Sequence, residues 1–190
     1  DLSYKVCIFS FYPTKIISGW TGAIVVSNNL NIINWLRFQV MNGSNYFGGD
    51  SWERGLQAIG YNMYMTSPQA QVVLNNLQNL EEKKEKIKII RDIYNEELGY
   101  YNTSNHLYRI RVQDNEKFVS YMKKNGVICG IHYKCLHNHE IYTEKGDEIY
   151  KPIYELSHCP KSEKESITTT SVPLHEKLST EDAYYIIHLI

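Results

Sequence analysis

The sequence predicts an α/β fold, and three observations carry that expectation. Two short runs, residues 6–11 and 23–26, are β-branched and aromatic; a capped apolar stripe runs from 66 to 98; and strand, helix and strand patterns follow one another from 107 to 132. The length of 190 residues suits one domain or two small ones, and 43% hydrophobic with 22% charged residues is the composition of a folding chain, not a disordered one. A net charge of -1 removes the overall basic field that drives binding to nucleic acid or an anionic membrane surface, so neither partner is expected. No apolar run reaches the roughly 18 to 20 residues of a membrane span. The start lacks a basic-then-apolar leader, and four cysteines are too few for a disulfide scaffold; together these features predict a cytoplasmic protein. The chain opens at Asp1 and enters an apolar run at once, which suggests a piece of a longer protein.

In chain order, residues 6–11 and 23–26 are expected as buried strands of a sheet covered on both faces, joined by a turn over 13–22. Ser27, Asn28 and Asn29 can cap a helix whose apolar positions Leu30, Ile33, Leu36 and Val40 keep helical spacing, ending near Asn42-Gly43. Residues 43–55, with Gly48-Gly49 inside, have no period and are expected as loop. Thr66, Ser67 and Pro68 then open a helix with apolar residues from Val72 to Leu98, whose mixed-charge stretch 81–86 is expected to be a solvated face with i,i+4 pairs. Residues 107–112 alternate as a half-exposed strand, 115–124 form an amphipathic helix and 127–132 a second strand. A loop over 134–161, a helix over 162–169 and a final helix capped by Ser179 complete the chain. A boundary near residue 92 divides a first part, 1–92, from a second, 93–190.

Lys15 draws attention on its chemistry. It follows a strand end, Ser10-Phe11-Tyr12-Pro13-Thr14, beside a turn containing Gly19 and Gly22, where a lysine can be held at a cleft edge among apolar and aromatic neighbours. A neutral amine in such a place attacks an aldehyde carbon. Most lysines after a strand are simply solvated, so the residue alone leaves both readings open.

The surrounding motifs resemble those of the DegT/DnrJ/EryC1/StrS sugar aminotransferases, pyridoxal-phosphate enzymes of the aspartate-aminotransferase fold. Phe9-Ser10-Phe11-Tyr12-Pro13-Thr14-Lys15 with Gly22-Ala23-Ile24-Val25-Val26 is similar to the segment of the cofactor lysine. Gly60-Tyr61-Asn62-Met63-Tyr64-Met65 resembles G-Y-N-Y-R-M, and residues 106–112 resemble H-L-Y-x-I-R-V. Gly130-Ile131-His132-Tyr133 with Leu136-His137 resembles G-I-H-Y-x-x-P-L-H, and Ser171-Val172-Pro173-Leu174-His175 resembles S-L-P-L-H. Five motifs in the family's order make a specific signal. The resemblance implies the C-terminal portion of a pyridoxal-phosphate transferase of fold type I. Residues 1–92 would be the remainder of the large cofactor domain and 93–190 the small C-terminal α/β domain. Lys15 would then be the catalytic lysine bonded to pyridoxal 5'-phosphate, Ser10 a hydroxyl on the cofactor phosphate, and Asn62 an amide reaching that phosphate from the partner subunit of a homodimer. His132, Tyr133 and His137 align with a loop near the sugar site. The implied activity is transfer of an amino group, with glutamate as donor, to a keto carbon of a nucleotide-linked sugar for polysaccharide biosynthesis. Retention of Lys15 favours transamination over the family's dehydratase branch, which has histidine there.

Departures are equally specific. Ile16, Trp20 and Thr21 replace the Asn and Glu-Gly that the family carries after its lysine, and Tyr64 replaces a basic residue. The family's first half, with the aspartate that pairs with the pyridine nitrogen, has no counterpart in the chain and is expected to be required. The alternative reading is a binding module held by zinc: Cys129, His132, Cys135, His137, His139, His158 and Cys159 lie close in sequence. They contain no C-x2-C knuckle, so scattered polar loop residues and no metal are expected.

Overall fold

The computed structural model describes residues 6–44, 50–142 and 159–190. Contacts divide the chain into two compact units, Asp1–Glu81 and Glu82–Ile190.

In the first unit, β1 (Cys7–Ser10) pairs antiparallel with β2 (Ala23–Val26), Cys7 opposite Val26 and Ser10 opposite Ala23. The strands form as predicted, but they are not buried: Ile8, Phe9 and Ile24 are at least half exposed. A two-stranded ribbon has no further strand or layer among the described residues to cover its faces, so the β-branched composition survives without the burial it anticipates. α1 (Leu30–Val40) starts where Asn29 Oδ1 accepts the backbone N–H groups of Asn31 and Ile32, at 3.0 and 3.4 Å. It stops as expected at Asn42 and Gly43, both with positive φ, with the Gly43 N–H donating to the Phe38 carbonyl at 2.8 Å. Of the predicted loop 43–55, residues 45–49 with Gly48 and Gly49 lie outside the described residues; Ser51–Glu53 is a single 3-10 turn.

The helix expected from 66 to 98 is two helices, α2 (Ser67–Gln78) and α3 (Leu80–Leu98). Thr66 and Gln69 form the capping box at the start, with Pro68 in the first turn. The break falls at Asn79, in a stretch where Asn75, Asn76 and Asn79 follow closely. Asparagine side chains compete for backbone groups: the Asn79 amide donates to the Asn75 carbonyl at 3.5 Å while the Asn79 backbone N–H turns to the Leu77 carbonyl. The apolar stripe runs on past a break that costs it little, which is why periodicity alone merged the two. The charged stretch is the solvated face that its pattern predicts, with Lys86 and Glu82 paired at 2.7 Å.

In the second unit, β3 (Tyr108–Arg111) pairs antiparallel with β4 (Thr169–Val172), Tyr108 opposite Val172 and Arg111 opposite Thr169. α4 (Asn115–Lys124) is capped by Asp114, which accepts from the Lys117 N–H at 3.0 Å. α5 (Pro160–Thr168) leads directly into β4, and α6 (Thr180–Leu189) opens on the Ser179/Asp182 capping box. The strand expected over 127–132 shrinks to one bridge, Gly130 to Ser171. Val127 and Cys129 are buried and Ile128 is exposed, so the alternation is real. Only Gly130 reaches β4, exchanging N–H and C=O with Ser171 at 2.9 and 2.7 Å. The core is Ile87, Ile90 and Tyr94 of α3, Tyr108 and Ile110 of β3, Met122 of α4, and Ala183 and Ile186 of α6. Tyr94 and Tyr108 stack tilted at 4.9 Å; the Tyr94 hydroxyl donates to the Pro173 carbonyl and that of Tyr108 to Asn95 Oδ1, each at 3.1 Å. Burial therefore costs neither tyrosine its hydrogen bond. No helix among the described residues is long and apolar enough to cross a membrane.

Two outcomes follow from this core. Ile87→Ala removes a side chain that is 2% exposed and should lower stability by about 2 to 4 kcal/mol, whereas Ile89→Ala, on the exposed face of the same helix, should change it by less than about 0.5 kcal/mol. Urea midpoints of the two variants check the contrast. Burial also raises the Tyr108 hydroxyl to about 12 and the Cys129 thiol to about 11. Folded values above the unfolded 10.0 and 9.0 mean that the contribution is complete below pH 9, and it declines as pH rises through about 11 and 12. An alkaline titration of the melting temperature should show this decline, reduced in Tyr108→Phe.

Candidate functional site

In the first unit the Ser10-to-Gly22 loop is closed at its base by one residue. The Phe11 N–H donates to the Gly22 carbonyl and the Phe11 carbonyl accepts from the Gly19 N–H, both at 2.9 Å, while Phe11 as a whole is 7% exposed. Above that base the Lys15 N–H donates to the Tyr12 carbonyl at 2.9 Å, a tight turn that leaves Lys15 half-buried. Ser10 Oγ, at the end of β1, accepts the Tyr12 N–H at 3.4 Å and is exposed. An amine and a hydroxyl are thus carried on one loop. The loop lies against α2: a side chain at Gly19 would strike Val73 Cγ2, and Asn76 of α2 holds the Ser18 carbonyl. Trp20, where the family has an acidic residue, is exposed with φ of 66°, a left-handed backbone that costs a non-glycine residue about 1 to 2 kcal/mol.

Asn62 stands on a different framework in the same unit. It bridges to Met41 beyond the end of α1, flanked by Tyr61 N–H to the Gln39 carbonyl at 2.6 Å and Met63 N–H to the Val40 carbonyl at 3.0 Å. Gly43 and Gly60 meet backbone to backbone, and a Cβ on either would overlap main-chain atoms. Asn62 is exposed, four residues ahead of the α2 N-cap at Thr66.

The second unit carries the other candidates on one loop. His132 Nδ1 is 3.0 Å from Ser171 Oγ, its ring meets that of Tyr133 edge-on at 4.9 Å, and the peptide between these two residues is cis. Tyr133 is exposed. Leu136–Asn138 is a 3-10 turn that places His137 Nε2 3.0 Å from Glu163 Oε1, with the imidazole only 11% exposed. The flank of this loop walls a cleft of about 630 Å³ lined by Ile131, Lys134 and Asn138 with Asp114, Asn115 and Ser166. The structure gives the zinc alternative no support. Among the described residues no three His, Cys, Asp or Glu side chains gather as a metal site, and Cys135 Sγ lies 3.4 Å from Ser162 Oγ. His158 lies outside the described residues.

Lys15 and Ser10 are therefore brought onto one loop, Asn62 onto its own framework, and His132, Tyr133 and His137 onto a third segment in the other unit. Glu163 escapes a reading of the sequence because it meets His137 across 26 positions of chain with no motif to announce it. Ser171 is given no role by the sequence, although it opens the motif Ser171-Val172-Pro173-Leu174-His175.

Comparison with known proteins adds the following. The model of the DegT/DnrJ/EryC1/StrS aminotransferase family matches residues 3–190. A UDP-4-amino-4,6-dideoxy-N-acetyl-beta-L-altrosamine transaminase of Campylobacter jejuni is 25% identical over 197 aligned residues, covering 94% of this chain and 50% of the relative. In fold the chain is similar to Helicobacter pylori PseC, an aminotransferase involved in the biosynthesis of pseudoaminic acid, with TM-score 0.82 at 20% identity over 97% of this chain and 52% of that one. It is equally similar to the apo form of Spr1654 of Streptococcus pneumoniae, with TM-score 0.82 at 22% identity over 99% and 51%. The chain spans about half the length of the relatives it matches.

The glycine contact behind Asn62 makes a prediction of its own. Gly60→Ala should destabilise the first unit by about 1 to 3 kcal/mol, because the added methyl meets main chain that cannot rotate away. A urea midpoint unchanged from wild type would show that the contact gives way without cost.

Proposed function

The chain belongs to the DegT/DnrJ/EryC1/StrS aminotransferase family, and from that premise we propose that it is part of a pyridoxal-phosphate-dependent enzyme that transfers an amino group from glutamate to a keto carbon of a nucleotide-linked sugar. The observation that carries the proposal is the loop joining Ser10 to Lys15: a hydroxyl and an amine on one closed turn, inside the family's own lysine motif. That donor set fits the cofactor, since an aldehyde needs an amine and a phosphate needs hydrogen-bond donors.

Bound pyridoxal phosphate supplies an electron sink for the carbon from which a proton is removed. The chain's own residues do the rest. Lys15 Nζ holds the cofactor covalently and, once released, moves a proton to and from the substrate carbon as general base and acid. Ser10 Oγ donates to the cofactor phosphate. Asn62 Nδ2 donates to the same phosphate in the partner subunit of a homodimer, supported by its exposure and its rigid framework ahead of the α2 N-terminus, whose dipole also favours an anion. His132, Tyr133 and His137 face the sugar. In this reading residues 1–92 are the remainder of the large cofactor domain and 93–190 the small domain, and the half of the relatives that this chain does not span completes the site. The ribbon of β1 and β2, in which no residue is buried, supports that requirement. A cytoplasmic location is supported by Cys7, Cys129, Cys135 and Cys159, all free thiols.

Borohydride reduction of the complete holoenzyme should fix the cofactor on one lysine, and peptide mapping should find Lys15; a label on another lysine refutes the assignment. Asn62→Ala should weaken cofactor retention by roughly 1 to 3 kcal/mol, the loss of one hydrogen bond to a charged group. Equilibrium dialysis measures it, and unchanged retention or a monomeric holoenzyme would remove the role across the dimer.

A further inference from the structure

We propose that Glu163 and Ser171 are positioning residues, which together make the α5–β4 segment a template for the loop that presents His132 and His137. The inference rests on the sugar-facing reading of that loop. It goes further by naming what sets the loop's shape.

The template grips both ends of the loop. At the near end, Ser171 exchanges both main-chain hydrogen bonds with Gly130, and Thr170 Oγ1 donates to the same Gly130 carbonyl at 3.1 Å, so the strand fixes where the loop departs. Two residues further on, Ser171 Oγ meets His132 Nδ1 at 3.0 Å; the hydroxyl is on a residue only 4% exposed, where an unpartnered polar group is costly. At the far end Glu163 Oε1 meets His137 Nε2 at 3.0 Å. A carboxylate only accepts, so Nε2 carries the hydrogen, and in the neutral ring Nδ1 is the nitrogen left with a lone pair. The pairing thus selects the tautomer as well as the ring's orientation. Cys135 Sγ beside Ser162 Oγ adds a second contact one residue up the same helix.

The template is itself anchored. Asn115 at the start of α4, 2% exposed, donates from Nδ2 to the carbonyls of Ser166 and Thr169 at 2.8 and 3.0 Å, bracketing the passage from α5 to β4. Both gripping side chains act on imidazole nitrogens instead of on main chain alone. That is the arrangement by which a supporting residue orients a functional one.

The test separates the two half-reactions in the complete holoenzyme. Glu163→Ala and Ser171→Ala should raise KM for a nucleotide-linked keto sugar by roughly 10- to 100-fold, while the glutamate half-reaction, read from the cofactor's visible spectrum, stays within about twofold. Glu163→Gln keeps an oxygen acceptor for His137 and should restore KM to within a few-fold of wild type. Independently of turnover, trypsin should cut after Lys134 about tenfold faster in the two Ala variants than in wild type or Glu163→Gln. Equal loss in both half-reactions, an unchanged sugar KM, or unchanged cleavage after Lys134 overturns the proposal. A wild-type holoenzyme inert toward the sugar would refute the functional reading instead, and the trypsin comparison would still decide this one. If Ser171→Ala fails to fold, the contrast between Glu163→Ala and Glu163→Gln decides the matter alone.

Discussion

A strand of buried hydroxyls organises the second unit. β4 reads Thr169-Thr170-Ser171-Val172, and all four residues are buried. Three hydroxyls in a core are tolerable only if each finds a partner, and each finds one off the strand, on the helix before it or on the loop beside it. Thr169 donates to Glu165 on α5 at 2.8 Å, Thr170 to the Gly130 carbonyl at 3.1 Å, and Ser171 meets His132 at 3.0 Å. Satisfying these groups ties the helix before the strand and the loop beside it to one line of backbone. The bond from Thr169, aided by the Arg111 guanidinium, also holds the Glu165 carboxyl below the usual carboxylate range. The tyrosine pair behind the strand obeys the same rule, with the Tyr94 hydroxyl closed on Pro173 just beyond β4.

The first unit is organised by main chain. Phe11 closes the lysine loop with both of its backbone groups, and the end of α1 holds the Asn62 segment through a short ladder of N–H to carbonyl bonds. Few side chains are buried here: Phe11 and Val73 are the buried hydrophobic residues among those described in the unit. Such a framework fixes where functional side chains start while leaving their outer surfaces uncovered, as the exposure of Ile8, Phe9 and Ile24 shows.

What the sequence discloses follows from how local each cause is. Caps, turns and helical periods depend on neighbours a few residues apart, so Asn29, Thr66 and Ser179 announce their helices and Gly43 its stop. The ordered motifs disclose the family. The misjudged features depend on distant partners. Residues 127–132 alternate as a strand does, but strand length depends on how far β4 runs alongside, and it meets only Gly130. Residues 6–11 have a buried strand's composition, yet burial is a property of the layers around it. The division at Asn79 is hidden because an apolar stripe counts side chains and is silent about the hydrogen bonds between them. The pairing of His137 with Glu163 has no local signature at all.

The back-to-back glycines have a consequence for how this region tolerates change. Gly43 and Gly60 pin the two ends of the intervening segment, and the Gln57 N–H closes on the Gly43 carbonyl at 2.8 Å. Loop-closure entropy rises only slowly with length, so a change in the length of the segment between the pins costs little in closure, whereas Ser44, buried and bridged to Leu56, is tied into the framework itself. Asn62, outside the pins, would keep its place throughout. The pair therefore works as a graft point, where sequence can drift or be engineered on one side of a fixed hinge pin while the residue on the other side stays in register.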